Sequence, residues 1–143
     1  MMFMKKMKLL IVDDEPALCK VLAERLNVLY GISPETACNG TEALEKITAG
    51  RFDVVVLDIE MPGMDGMETL KRIKELKPKI QVVMFTGHGS EERRIMAEGL
   101  GAFNYVDKID GLSKLAPMIE GAYRLRKALE DTYADVALNE YTR

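Results

Sequence analysis

The chain carries two cysteines and one histidine in 143 residues. Cys19 and Cys38 are too few for the disulfide framework of a small secreted domain. With His88 as the sole imidazole, there is no ligand set for a zinc site. Each cysteine lies in an apolar-periodic segment, where a small packing side chain, buried or half-buried, is expected. Long hydrophobic runs are missing as well. The basic, Met-rich opening from Met1 to Lys8 leads only into Leu9–Val12, whereas a secretory signal needs an apolar core of about 7–15 residues. It reads as the lead-in to a strand, and no membrane partner is expected. The net charge of −3, with no basic stripe, argues against nucleic-acid binding through this chain. Internal repeats, Gly/Ser linkers and low-complexity stretches are also absent.

What is present describes one domain with a buried core, placed in the cytoplasm: 48% apolar and 30% charged residues. Five short runs rich in Val, Ile or Leu predict strands at Lys8–Val12, Glu35–Cys38, Val54–Leu57, Ile80–Phe85 and Phe103–Val106. The first, third and fourth are nearly continuous apolar runs, the mark of strands covered on both faces. Residues 35–38 are weaker and suit an edge.

Helical spacing follows each run. Leu18, Val21, Leu22, Arg25, Leu26 and Leu29 trace one helical face behind Pro16. Thr41 caps a helix through Ala43, Leu44 and Ile47 that ends at Gly50. Met67, Leu70, Ile73 and Leu76 form a third, stopped by Pro78. Ser90 caps a fourth carrying Ile95, Met96 and Leu100. A last helix starting near Ser113 would lose no bond to Pro117, and its apolar face runs through Met118, Ala122, Leu125 and Leu129 toward Val136. Strands alternating with helices predict an α/β domain with a doubly wound parallel sheet and helices on both faces.

In such a sheet, ligands bind at the carboxyl ends of the strands. Asp13 and Asp14 follow the first strand, Asp58 the third, Thr86 the fourth and Lys108 the fifth. Three convergent carboxylates repel one another, and a hard divalent cation such as Mg²⁺ relieves that repulsion. Lys108 and Thr86 add the charge and the donor needed to hold transferring phosphoryl oxygens. Singly, each residue is as readily a turn former, a cap or a solvated side chain; together on one sheet edge they point to phosphoryl chemistry.

The stretches LLIVDDEP (9–16), VVVLDIEMPGMDG (54–66), VVMFTGHG (82–89) and GAFNYVDK (101–108) resemble, in order and spacing, the receiver domain of bacterial response regulators, over about Lys6 to Arg126. The resemblance implies a flavodoxin-like five-stranded sheet of order 2-1-3-4-5, with a receiver at 1–126 and a C-terminal helix extension or tail at 127–143. Asp58 would take a phosphoryl group from a sensor histidine kinase or phosphotransfer protein. Asp14 and Asp58 would ligate Mg²⁺ directly, Asp13 through water, with the Glu60 backbone carbonyl as a further ligand. Lys108 and Thr86 would contact phosphoryl oxygens. Thr86 and Tyr105 would switch the surface of the fourth helix, fifth strand and fifth helix, read by a second copy or a downstream protein. Glu60 and His88 would tune the acyl-phosphate lifetime, and Pro62, Gly63 and Gly66 would shape the loop after Asp58. The chain would be a switch, not an enzyme, catalysing only its own phosphorylation and dephosphorylation.

The family usually has a proline after the lysine, often through a cis bond. Ile109 stands there, and a non-proline cis bond costs about 2.5–4 kcal/mol, so a trans bond or a rearranged loop is expected. A haloacid-dehalogenase-type enzyme would need Asp where Glu60 stands and lacks the Asp13–Asp14 pair. A nucleotide-binding module would need a glycine-rich loop where Asp13, Asp14 and Glu15 lie. The roughly 35 residues after Lys108 are expected to hold a last helix and a tail but no output domain.

Overall fold

A computed structural model describes the backbone of residues 2–141 and the side chains of residues 4–130. Four-residue runs such as Leu9–Val12 (β1) and Val54–Leu57 (β3) are apolar throughout because successive side chains point to opposite faces, and both faces are covered. Leu9, Ile11, Val54, Val56, Val83 and Phe85 enter one core, while Leu10, Val12, Val55, Leu57, Val82 and Met84 enter the other.

The remaining strands are β2 (Glu35–Ala37), β4 (Gln81–Thr86) and β5 (Asn104–Asp107). They form one sheet of order β2-β1-β3-β4-β5 with every neighbouring pair parallel. The helices are α1 (Met2–Lys5), α2 (Pro16–Tyr30), α3 (Gly40–Ala49), α4 (Gly66–Leu76), α5 (Glu91–Gly99) and α6 (Gly111–Tyr141). Residues of α2 and α6 close the first core, and residues of α3, α4 and α5 the second. No helix among the described residues is long and apolar enough to cross a membrane.

Several local expectations are corrected. The opening is not only a lead-in: it forms α1, and Met4 and Met7 are buried in the first core. The buried stripe of α2 is Cys19, Leu22 and Leu26, while Val21 and Leu29 are 50% and 54% exposed. Two adjacent stripes satisfy the same 3-and-4 spacing, and the sheet takes the one centred on Leu22. Cys38 falls just past β2 and is exposed, its Sγ within 2.8 Å of Glu42 Oε2. Helix α3 is capped by Asn39, not Thr41, with Asn39 Oδ1 accepting the Glu42 N–H at 2.8 Å. Ser90 does cap α5, accepting the Arg93 N–H. Helix α6 begins at Gly111, two residues earlier than Ser113. Pro117 therefore lies beyond the first four N–H groups and leaves the Ser113 carbonyl without its helical donor. The buried face of α6 carries Leu115, Ile119, Ala122 and Tyr123, while Leu125 of the expected face is 38% exposed; the continuation to Val136 lies outside the described side chains.

Candidate phosphoacceptor site

Strand register assembles the site. Val12 pairs with both Ala37 and Leu57, and Leu57 pairs with Met84. The Asp13 N–H donates to the Ala37 carbonyl at 3.1 Å and the Asp58 N–H to the Val12 carbonyl at 3.0 Å. The residues one step past β1 and β3 thus emerge side by side. Thr86 pairs with Asp107, which brings Lys108 to the same edge. The carboxylates of Asp13, Asp14 and Asp58 converge, with one oxygen of each lying within 4.8 Å of the others. Asp13 and Asp58 are each 3% exposed, whereas Asp14 is open to solvent.

Lys108 is the counter-charge. Its Nζ lies 2.8 Å from Asp13 Oδ2, 3.2 Å from Asp58 Oδ2 and 3.6 Å from Glu15 Oε1. No peptide bond among the described residues is cis, and the chain after β5 turns at once into a 3₁₀ turn, Lys108–Asp110. Burial works against the Lys108 ammonium, yet the contacts with Asp13 and Asp58 outweigh it and hold its pKa above the ordinary value. For Asp13 the balance runs the other way. Burial, reinforced by the neighbouring Asp58 charge, raises its carboxyl despite the Lys108 contact and the Glu15 N–H. The two partners differ because Lys108 faces two carboxylates, while Asp13 must share one ammonium with a like charge.

Asp58 Oδ1 accepts the Ile59 N–H at 2.8 Å. The Thr86 hydroxyl, fully buried, accepts the His88 N–H at 3.2 Å. Tyr105 is half-buried with its ring against Gly89, and its hydroxyl is buried without a hydrogen bond, the Ser90 backbone approaching without completing one. Burial raises its phenol. Gly63 adopts φ +78°, a left-handed turn. Gly66 is required for space instead: its N–H donates to the Ile59 carbonyl at 2.6 Å, and a Cβ there would run into the Asp58 carbonyl oxygen.

The cleft above Asp58 has a volume of about 500 Å³, and one residue on its wall, Arg93, was not anticipated from the sequence. Its signal was present, since a cation in the first turn of a helix opposes the helix dipole and needs a partner elsewhere. A second cleft, of about 430 Å³ between the ends of α3 and α4, lies among Arg51, Phe52, Lys77 and Arg126 and shares no residue with this site.

Residues 9–120 match the family model for the response regulator receiver domain. The chain belongs to that family. The receiver is 33% identical over 147 residues to the uncharacterized transcriptional regulatory protein YkoG of Bacillus subtilis, covering 98% of this chain and 64% of YkoG. It thus spans less than two thirds of the length of the first curated relatives it matches. A receiver domain protein from Clostridium thermocellum superimposes with TM-score 0.80 at 34% identity, over 86% of this chain and 98% of that one. The response regulator TrrA from Thermotoga maritima, solved in complex with Mg(2+)-BeF, has TM-score 0.74 at 34% identity, over 81% and 98%.

Proposed function

We propose that this receiver takes a phosphoryl group onto Asp58 from a histidine kinase or phosphotransfer protein, in a Mg²⁺-dependent reaction. The observation that carries this reading is Lys108 bridging Asp13 and Asp58 at the end of the sheet's central strand, with Asp14 beside them. An Asp58 carboxylate oxygen attacks phosphorus, the bond from phosphorus to the donor nitrogen or oxygen breaks, and the donor leaves with that electron pair. The product is an acyl phosphate on Asp58. Lys108 is in reach to hold the added negative charge, as phosphoryl transfer demands.

The donor set fits Mg²⁺, being hard carboxylate oxygens with one member open to water. Asp14 and Asp58 would hold the ion directly and Asp13 through water, with the Glu60 carbonyl as a further ligand by family resemblance. Bound there, it would neutralise charge on the phosphoryl oxygens. That TrrA was solved with Mg(2+)-BeF supports the same chemistry here. The Thr86 hydroxyl, now an acceptor for the His88 N–H, would turn toward the phosphoryl group and let Tyr105 move, changing the α5–β5–α6 surface. By analogy with YkoG, the receiver would serve transcription through the part of such a protein lying outside the match.

The test is incubation with acetyl phosphate and Mg²⁺ followed by intact-mass measurement. One phosphoryl mass on the wild type, absent in Asp58→Asn and absent with a chelator, supports the reading; equal labelling of Asp58→Asn overturns it.

A further inference from the structure

The mouth of the Asp58 cleft is acidic. Asp14, Glu15, Asp58, Glu60 and Asp65 line it; His88 and Arg93 are the basic side chains on its wall, with Lys108 beneath, already engaged with Asp13 and Asp58. A phosphodonor is itself anionic, so these carboxylates oppose its approach. Arg93 follows the Ser90 cap by three residues, in the first turn of α5, where the helix dipole disfavours a cation. What holds it there is visible: Nη1 donates to Glu60 Oε1 at 3.1 Å and to the His88 carbonyl at 2.7 Å. One guanidinium nitrogen ties the loop after β3 to the loop after β4. The His88 imidazole lies 3.5 Å from the other Glu60 oxygen.

The geometry points to Arg93 as a positioning residue of the phosphoacceptor site, acting through Glu60 to set both the rate of phosphorylation and the lifetime of the acyl phosphate. This rests on Asp58 being the phosphoacceptor. By pairing with Glu60, Arg93 offsets a negative charge at the mouth while the donor enters. By the same contact it holds the Glu60 carboxylate toward α5. Hydrolysis requires water to form the new bond to phosphorus as the Asp58 oxygen takes back its electron pair, and the attacking water gives up a proton. A Glu60 carboxylate released from Arg93 is a base near that water. Loss of Arg93 therefore slows loading and speeds hydrolysis together.

The experiment compares wild type, Arg93→Ala, Arg93→Lys, Glu60→Gln and the Arg93→Ala/Glu60→Gln double variant. Each is loaded with acetyl phosphate and Mg²⁺, exchanged into donor-free Mg²⁺ buffer, and followed by intact mass, with circular dichroism to verify folding. Arg93→Ala should load more slowly and lose its phosphoryl group faster, each by roughly two- to fivefold, the rate equivalent of one partly exposed ion pair. Arg93→Lys should restore most of both. In the Glu60→Gln background, Arg93→Ala should change neither rate, because a residue acting through Glu60 has nothing left to act on. Wild-type rates in folded Arg93→Ala, or an undiminished effect in the Glu60→Gln background, would overturn the proposal. Failure of the wild type to load at all would instead overturn the phosphoacceptor reading, and this inference with it.

Discussion

Lys108 follows Asp58 by fifty residues in the chain, yet its Nζ lies 3.2 Å from Asp58 Oδ2. The contact exists because β3, β4 and β5 lie side by side, and Asp58 follows β3 at the same edge at which Lys108 follows β5. Replacing Lys108 by Ala leaves Asp13 and Asp58 facing each other and removes the proposed donor for the transferring group. The initial rate of labelling by acetyl phosphate should fall about a hundredfold, as for loss of one preorganised donor. A Lys108→Ala rate within twofold of wild type would remove it from the site.

Asp13 gives a pH-dependent prediction. Its carboxyl is raised above the ordinary value of 3.8 by burial and by Asp58. A raised acid contributes stability fully below its unfolded pKa, and that contribution is lost as pH rises through the folded value. Ionising Asp13 therefore weakens the fold. Asp13→Asn should melt higher than wild type at pH 7 in chelator, by about 2–5 °C for each kcal/mol recovered. The gain should shrink toward pH 4 and on adding Mg²⁺. Equal melting temperatures at pH 7 would show that the carboxylates are already compensated.

Gly66 tests the loop after Asp58. Alanine there forces the helix start away from the Asp58 carbonyl oxygen, and such overpacking costs about 1–3 kcal/mol. Urea denaturation should show that loss, together with slower labelling of the folded protein. An unchanged midpoint would mean that the loop moves freely.

Far from the site, Arg126 covers buried Asp53, with Nε 3.9 Å from Asp53 Oδ1 and neither atom hydrogen-bonded. Arg51 also approaches that Asp53 oxygen, at 3.7 Å, and reaches Glu130 at 3.2 Å, but its side chain is 58% exposed, against 14% for Arg126. Arg126→Ala should cost about 3 kcal/mol because it strips cover from a buried charge. Arg51→Ala should cost less than about 1 kcal/mol. The reverse ranking in urea melts would show that the extension of α6, not the base of the sheet, is anchored here.

Thr86 and Tyr105 carry the proposed switch. Thr86→Ala should still accept the phosphoryl group, but the chemical shifts around Tyr105 should no longer respond to it. Identical phosphorylation-induced shifts in both proteins would show that the hydroxyl does not carry the signal.

The strand ends are legible in the sequence because Val/Leu/Ile runs stop abruptly at Asp13 and Asp58, and a parallel sheet brings such ends together whatever the helices do. Residues one position from an element's end are less so. The Asn39 cap and the Gly111 start of α6 depend on what the neighbouring chain leaves room for. The exposed faces of Val21 and Leu29 depend on which of two stripes meets the sheet. Arg93 is marked only as a cation in the first turn of α5; its partner Glu60 lies thirty-three residues away, and periodicity within α5 does not point to it.

The most direct test of the account is to trap the acyl phosphate with tritiated borohydride after loading with acetyl phosphate and Mg²⁺. Borohydride reduces an acyl phosphate but not a free carboxylate. The label should appear in tryptic peptide 52–71, with fragmentation placing it on Asp58 and not on Asp53 or Asp65. It should vanish with chelator and in Asp58→Asn. Label on another residue, or label independent of Mg²⁺, would contradict the assignment of Asp58 as the phosphoacceptor.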